Sequence, residues 1–113
     1  MAEDFEKQDI FVADIDGLTI GYLLCHTYTQ EKEICTVPNG SMCLEIEVLY
    51  ILPEYRSRGV GKTLYNTAVE SYGDTVDYVT LTTATKNYKS SLHFYIDELD
   101  MTFWSARLFQ ELR

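Results

Sequence analysis

The stretch that decides the fold is Leu49–Lys62, which reads LYILPEYRSRGVGK. Its first four residues are apolar or aromatic, which indicates a strand, and Pro53 ends that strand because proline has no backbone N–H to donate to a sheet. Apolar residues then recur at helical spacing over Gly59–Tyr72. The stretch therefore predicts a strand, a turn and a helix that opens with Gly59 and Gly61.

The start of this helix is a candidate anion-binding site. The first backbone N–H groups of a helix have no intrahelical partner and lie at the positive end of its dipole. Glycine has no Cβ that would hold a phosphate away from these groups. Arg56, Arg58 and Lys62 add positive charge here, although the whole chain has a net charge of -9. The pattern predicts a local anionic ligand.

Two phosphate-binding motifs compete for this stretch. Gly61-Lys62-Thr63 is similar to the end of a nucleotide-binding P-loop, but that motif needs a glycine where this chain has Arg56. The better match is Arg56-x-x-Gly59-x-Gly61, which resembles the Q/R-x-x-G-x-G/A signature of the GNAT superfamily of N-acetyltransferases. In that family, as here, the signature follows a central strand.

The remaining sequence supplies the other elements of an α/β sandwich. Asp16-Gly17 tolerates positive φ and predicts a hairpin between two apolar runs. The predicted order is β-β-β-α-β-α-β, with strands at Ile10–Ala13, Leu18–Leu24, Leu44–Leu52, Val76–Thr82 and Phe103–Leu112 and helices at Gly59–Tyr72 and from Asn87 onward. A mixed central sheet in one N-acetyltransferase domain, residues 1–113, is expected, and the resemblance implies the acyl-CoA N-acyltransferase (GNAT-like) fold.

The resemblance also implies acetyl-coenzyme A (acetyl-CoA) as acetyl donor and a set of residues that hold it. In this family the central strand diverges from its parallel neighbour, and the pantetheine arm lies in the gap. The contacts with the arm, the thioester and the pyrophosphate then fall to Leu49, Ile51, Arg56, Arg58, Gly59, Val60, Gly61, Lys62 and Asn87. Phe94-Tyr95 matches an F-Y pair of the family, and Tyr95 is expected to protonate the departing thiolate.

Three features depart from the family pattern. Asn87 lies one residue farther from Tyr95 than is usual, and Asp100-Met101 stands one residue late in place of a common Gly-Phe pair. The family's first strand and the two helices after it have no counterpart before the hairpin. Because those helices normally wall the acceptor pocket, the identity of the acceptor stays open.

Glu45 and Glu47 are the candidates for a general base. An alkylamine with a pKa of about 10.4 is mostly protonated at neutral pH, so its attack needs a proton acceptor. Two residues that lie two positions apart on one strand face the same side. Glu45 better matches the position of a catalytic glutamate in some family members, and Glu47 is the second candidate. His26 and His93 are interpreted as surface or structural residues.

The composition argues against several classes of function. Nine Lys+Arg against 18 Asp+Glu are not typical of nucleic-acid binding, whereas the negative field suits a cationic amine. The three cysteines form no zinc-binding spacing, so no metal site is predicted. An acidic N-terminus and the absence of an apolar run of about 18 residues predict a cytoplasmic protein without a membrane segment.

The sequence therefore predicts transfer of an acetyl group from acetyl-CoA to a primary amine of a small-molecule or peptide acceptor, by direct attack in a ternary complex. The alternatives are a CoA-binding module without turnover and a dimerisation domain. Pairing with a second copy, as a homodimer, is left open, since a small domain without the N-terminal helices has apolar surface to cover.

Overall fold

The computed structural model describes residues 8–31, 37–83, 87–104, 107–108 and 110–112, which build a four-stranded sheet and two helices. The elements are β1 (Asp9–Ile15), β2 (Leu18–Thr29), β3 (Met42–Ile51), α1 (Val60–Tyr72), β4 (Tyr78–Leu81) and α2 (Tyr88–Leu92). The strands are adjacent in chain order, with β1–β2 and β2–β3 antiparallel and β3–β4 parallel. Helix α1 makes the crossover that a parallel pair requires. This mixed sheet confirms the predicted α/β fold.

The turn between β1 and β2 forms at the predicted pair. Asp16 has φ 50° and Gly17 has φ 82°, so both central residues are left-handed, as a tight hairpin that follows the twist of the strands requires. Asp14 is fixed beside the turn because Thr19 Oγ1 donates to its Oδ1 at 2.9 Å. The hairpin therefore sets the register of the first two strands.

The core lies between one face of the sheet and α1. Its fully buried side chains include Leu23, Cys25, Leu44 and Ala68, and Ile46 is nearly buried beside them. Burial of one such aliphatic side chain contributes roughly 1.5–3 kcal/mol. At the far end of α1 the Tyr72 hydroxyl donates to Asp9 on β1, and this bond ties the helix to the edge strand. The core fixes where α1 begins, and hence where its glycine turn lies.

Strand β3 contains a bulge at Glu47. Leu24 pairs with Val48 and the next residue, Cys25, pairs with Ile46, so Glu47 has no register partner on β2. A bulge adds one residue to one strand and bends it locally. The bend falls just beyond Ile46, the last β3 residue that pairs with β4.

The predicted final strand, Phe103–Leu112, is wrong for the residues that the structure describes. None of residues 103–104, 107–108 and 110–112 is in a strand. Phe103, Leu108 and Leu112 are 57%, 94% and 78% exposed, so these side chains are not packed as those of a sandwiched strand would be. A strand forms only where a neighbouring edge accepts its peptide groups, and sequence pattern alone does not reveal such an edge.

Two further predictions need smaller corrections. The strand predicted at Val76–Thr82 forms only over Tyr78–Leu81, because the segment before it is a 3₁₀ turn, Gly73–Thr75, with its connection to the strand. The helix after Asn87 is α-helical only to Leu92 and continues as a π-helix, His93–Glu98. Cys25 and Cys43 are buried free thiols, and Cys35 lies outside the described residues.

Among the residues that the structure describes, no helix combines the length and the apolar character needed to cross a membrane.

Candidate active site

The central strand β3 extends beyond the end of its parallel neighbour, β4. Register pairs join β3 to β4 from Cys43–Tyr78 to Ile46–Leu81, after which β3 continues to Ile51. Beyond Ile46, no strand among the described residues pairs with this edge of β3. The gap is therefore open at the point where a divergence of the two strands was predicted.

The peptide groups of Leu49 and Ile51 face this gap. The Leu52 N–H donates to the Ile20 carbonyl on β2 at 2.8 Å. Hydrogen-bonding direction alternates along a strand, so Tyr50 also directs its peptide groups to β2, while Leu49 and Ile51 direct theirs to the opposite edge. The N–H and C=O of Leu49 and the N–H of Ile51 can therefore pair with an extended amide-containing ligand as a missing strand would, while the Ile51 carbonyl already accepts a bond from Arg56 Nε.

A cavity of about 580 Å³ lies in the gap, bounded by the end of β3, the glycine turn and α2 with its π-helix. Its lining includes seven of the residues predicted to bind the cofactor or act in catalysis: Leu49, Ile51, Arg56, Gly59, Gly61, Asn87 and Tyr95. The remaining lining residues are Tyr50, Tyr55, Ser57, Ser90, Ser91, His93, Phe94 and Glu98. Residues far apart in the chain thus meet around one space.

The glycine turn leaves room for a phosphate at the start of α1. Gly59 is the N-cap of α1 with φ 85°, a conformation that L side chains rarely adopt, and a Cβ built on it meets no atom within 4 Å. Ser57 also has a positive φ, 63°, so the loop curves tightly into the helix. Open space, free helix N–H groups and the positive end of the helix dipole together suit an anion.

Arg56 is held at this turn from two sides. Its Nε donates to the Ile51 carbonyl at 2.7 Å, and its guanidinium lies over the Tyr50 ring, 5.4 Å from the centroid. The terminal nitrogens keep donors for an anion, because the bond to Ile51 uses only Nε. Tyr50 was not among the predicted residues, since its role depends on a ring-to-cation contact that spacing does not reveal.

Three predicted binding residues do not line the cavity with their side chains. Arg58 and Val60 line a second cavity of about 350 Å³, between the first half of α1 and strands β1 and β2, and the Arg58 guanidinium lies 5.4 Å from the Tyr55 ring centroid. Lys62 is exposed and lines neither cavity. Val60 and Lys62 still offer backbone N–H groups of the first helical turn, where an anion can bind.

Gly61 has a packing role that differs from that of Gly59. A Cβ on Gly61 would lie 3.1 Å from Phe94 Cζ and 3.9 Å from Ile51 Cγ1. The Phe94 ring therefore rests on the backbone of α1 beside the strand end. It also packs edge-on against Tyr95, with ring centroids 5.3 Å apart. Through Phe94, the glycine turn and the candidate acid are parts of one packed unit.

We expect Gly61→Ala to destabilise the fold, because the added methyl group forces Phe94 to move by a few tenths of an ångström. Overpacking costs about 1–3 kcal/mol in the free energy of unfolding, and alanine recovers about 0.5–1 kcal/mol of it inside a helix. We therefore expect a net loss of up to about 2 kcal/mol, which urea denaturation measures. Phe94→Leu in the same chain should reduce the cost of Gly61→Ala. An equal cost in both backgrounds would show that Phe94 is not what excludes a side chain at position 61.

The π-helix carries Tyr95 to the cavity. The Leu99 N–H donates to the Phe94 carbonyl at 3.1 Å, a bond that spans one residue more than in an α-helix. A wider turn accommodates an additional residue, and Asn87 and Tyr95 both line the cavity although they are one residue farther apart than the family pattern. Asn87 is the N-cap of α2, and its carbonyl accepts from the Ser91 N–H at 3.2 Å.

Tyr95 is half-buried, and burial raises the pKa of its phenol above the ordinary value of about 10. The sign follows from desolvation, which disfavours the charged phenolate. Tyr95 is therefore protonated through the neutral range and can donate a proton to a stronger base that forms beside it.

Glu45 and Glu47 lie on the same face of the sheet but in different settings. Glu45 pairs with Thr80 on β4, and Thr80 Oγ1 donates to its Oε1 at 2.5 Å. Glu47 lies past the end of β4 and is bonded to His26 and Gln8. Neither glutamate lines the 580 Å³ cavity.

Comparison with known proteins finds a relative among the N-acetyltransferases. The chain is 32% identical over 65 residues to an uncharacterised N-acetyltransferase from Archaeoglobus fulgidus, a match over 58% of this chain and 41% of that relative. The chain thus spans less than half the length of that relative.

Solved structures share the fold. An aminoglycoside N-acetyltransferase, AAC(6')-Iy, in complex with CoA superposes with a TM-score of 0.70 at 22% identity, covering 99% of this chain and 82% of that one. A ribosomal-protein-alanine N-acetyltransferase from Brucella melitensis biovar Abortus 2308 gives 0.69 at 14% identity, covering 94% and 73%. At such low identity the likeness shows the fold alone.

The family assignment comes from the sequence as a whole. The model of the Acetyltransferase (GNAT) family matches residues 2–99, which include all four strands, both helices and the glycine turn. The chain belongs to the GNAT family of acetyltransferases.

Proposed function

We propose that this protein transfers the acetyl group of acetyl-CoA to a primary amine by direct attack in a ternary complex. The observation that carries the proposal is the cavity at the end of β3. It joins an open helix N-terminus, a fixed arginine, two outward-facing peptide groups and a protonated tyrosine. These parts fit a long ligand with a diphosphate at one end and a thioester at the other.

Each part of the cavity has a task in this reaction. The N–H groups after Gly59, with Arg56, bind the diphosphate as an anion. The peptide groups of Leu49 and Ile51 hold the pantetheine arm, and a strand N–H stabilises the oxyanion that develops on the thioester carbonyl. When bound, acetyl-CoA supplies the activated acetyl group. Tyr95 gives its proton to the departing thiolate, so that the sulfur leaves as a neutral thiol.

The acceptor is proposed as an amine of a small molecule or of a peptide. The two solved neighbours are named for one acceptor of each kind, an aminoglycoside and a ribosomal protein. The net charge of -9 favours an acceptor with more than one positive charge, because the field attracts cations and strengthens as salt falls. Spermidine, an aminoglycoside and a lysine-containing peptide therefore make up the first panel.

Two assays test the proposal in sequence. Calorimetric titration with acetyl-CoA separates a CoA-binding protein from a domain that serves only dimerisation. Release of the CoA thiol over the amine panel then separates an enzyme from a CoA-binding module without turnover. Heat of binding together with thiol release that depends on the amine is the expected result. Heat without release would favour the binding module, and absence of heat would refute both ligand-based functions.

We also propose that the protein forms a homodimer. Strand β1, at the edge of the sheet, exposes Ile10, Val12 and Ile15 at 60%, 49% and 44%. An apolar strip of this kind is commonly covered in an assembly. Sedimentation of the protein with and without acetyl-CoA tests whether pairing occurs and whether it depends on the ligand.

A further inference from the structure

The sheet face opposite α1 carries a histidine–glutamate pair. His26 Nδ1 lies 2.5 Å from Glu47 Oε2. Gln8 Nε2 lies 2.8 Å from each carboxylate oxygen of the same Glu47, so it donates to this carboxylate as well. Glu47 is the bulged residue of β3, and the extra residue lets its side chain reach His26 although the register partner of His26 is Glu45. The bulge thus builds a fixed carboxylate–imidazole pair.

The bond to Glu47 determines the tautomer of His26. A carboxylate only accepts hydrogen bonds, so Nδ1 carries a proton, and in the neutral imidazole Nε2 presents a lone pair. Among the described residues, Nε2 has no hydrogen-bond partner. The His26 side chain is 33% exposed, so a ligand can reach this atom. The pair therefore offers a directed proton acceptor at the surface of the sheet.

The pair lies short of the place where the thioester is proposed to bind, since His26 pairs with Glu45, whereas Leu49 pairs with Leu23, three residues away along β2. Glu47 is the first β3 residue beyond the last pair with β4, and Leu49, two positions on, lines the cavity. Val48 and Tyr50 leave accessible surface along the same strand, and Tyr50 also lines the cavity. An acceptor that approaches over this sheet face passes His26 on its way to the gap.

Glu45 is less suited to the same task. Thr80 donates to it at 2.5 Å, and the Tyr28 hydroxyl lies 3.0 Å from the Thr80 hydroxyl, so the Glu45 carboxylate is already engaged in a hydrogen-bonded group. Among the described residues, the titratable groups around His26 are Glu47 and Glu45 on β3 and Tyr28 on β2, whose ring centroid is 6.1 Å away. From the β1 side, the described neighbour is the neutral Gln8 amide.

We propose that His26 is the general base for the acceptor amine and that Glu47 is its positioning residue. This inference rests on the proposed acetyltransferase function. His26 Nε2 takes a proton from the ammonium form of the acceptor, and Glu47 stabilises the imidazolium that results. The neutral nitrogen then forms its bond to the thioester carbonyl carbon as the carbon–sulfur bond breaks. The sulfur receives the Tyr95 proton, and the second proton lost by the nitrogen restores Tyr95 through solvent.

Acceptor amines of different basicity allow the role of His26 to be tested by steady-state kinetics. His26→Gln should lower kcat/KM for an alkylamine at pH 7 by about 10²–10⁴-fold, the usual contribution of a general base. For an arylamine that is already neutral at pH 7, the loss should be less than about tenfold, because no proton has to be removed before attack. The alkylamine rate of the variant should climb with pH as free amine accumulates. The acetyl-CoA Kd should be unaltered. Equal losses for both acceptors, or none, would overturn the base assignment.

The tautomer provides a test that does not depend on turnover. Long-range ¹H–¹⁵N spectra of the histidine rings should show the Nδ1–H form for His26, identified by its absence in His26→Gln. Glu47→Ala should shift this ring toward the Nε2–H form and lower alkylamine turnover, whereas Glu70→Ala, which removes an exposed carboxylate on α1, should do neither. An Nε2–H form in the unaltered protein would contradict the pair. A wild-type protein that binds CoA but acetylates no amine would instead refute the proposed function itself.

Discussion

Gly59→Glu is expected to abolish CoA binding, with a loss in affinity of at least about 100-fold, or ~2.7 kcal/mol. Two effects act together at this position. Gly59 has φ 85°, so any L side chain strains the turn, and the new carboxylate would stand in the open space proposed for the diphosphate. Like charges at close range oppose each other strongly once water is excluded. Calorimetric titration with CoA measures the loss.

Gly17→Glu is the matched control for this substitution. Gly17 also has a left-handed φ, 82°, a Cβ added to it would meet no atom within 4 Å, and it lines neither cavity. The control carries the same added charge and a comparable strain at the β1–β2 turn. It should lose stability but keep its affinity for CoA. Equal affinities for CoA in the two variants would mean that the turn at Gly59 does not bind the diphosphate.

Tyr95→Phe is expected to lower kcat by about 10²–10⁴-fold, the range for loss of a general acid. The phenyl ring keeps the packing against Phe94, while the proton that quenches the thiolate is removed. The Kd for acetyl-CoA should change little, because the lost interaction belongs to the transition state. Single-turnover thiol release at saturating acetyl-CoA measures the chemical step.

The pH dependence gives this prediction a second readout. Burial raises the pKa of Tyr95, so the proton stays on the phenol to higher pH than in free tyrosine, and activity should fall only above about pH 10. In Tyr95→Phe this alkaline decline should be absent. Tyr88→Phe is the control, since Tyr88 is an exposed tyrosine of the same helix and does not line the cavity. A rate for Tyr95→Phe equal to that of the control would exclude Tyr95 as the acid.

The glycine turn could be predicted from the sequence because its determinants are local. A strand that ends at Pro53, an arginine, and glycines two positions apart before a helical run all lie within one short segment. The positive φ of Gly59, which the structure shows, lies within the same segment. Gly61 is different, because the Phe94 ring that requires a glycine there lies on another element. The reason why position 61 requires a glycine could therefore not be predicted from the turn alone.

The hydrogen-bond partners of the general-base candidates could not be predicted from the sequence. Spacing predicts correctly that Glu45 and Glu47 share a face, yet the two differ in their partners. Those partners come from β4, from β2 and from the residue just before β1. The bulge that turns Glu47 toward His26 has no signal such as a glycine in β3. His26 was interpreted as a surface or structural residue because nothing in its own segment reveals the carboxylate beside it.

The predictions for the helix after Asn87 and for the final strand had opposite results. The difference depends on whether the determinants are local. Asn87 and Tyr95 are one residue farther apart than in the family pattern, but a π-turn is a small local change that a helix can absorb, and both residues line the cavity. The predicted final strand needed a partner edge, which is a property of the whole sheet. Its apolar residues Leu108 and Leu112 are exposed instead.

The central claim is that the N–H groups at Gly59–Lys62 bind the diphosphate of CoA, and backbone amide spectra test it most directly. A chain of 113 residues allows each amide to be followed in ¹H–¹⁵N correlation spectra. Titration with CoA should shift the amides of Gly59 to Lys62 together with those of Leu49 and Ile51. Pantetheine, which lacks the diphosphate, should shift the two strand amides and leave the turn unchanged. Saturation with CoA while the turn amides keep their positions would contradict the account.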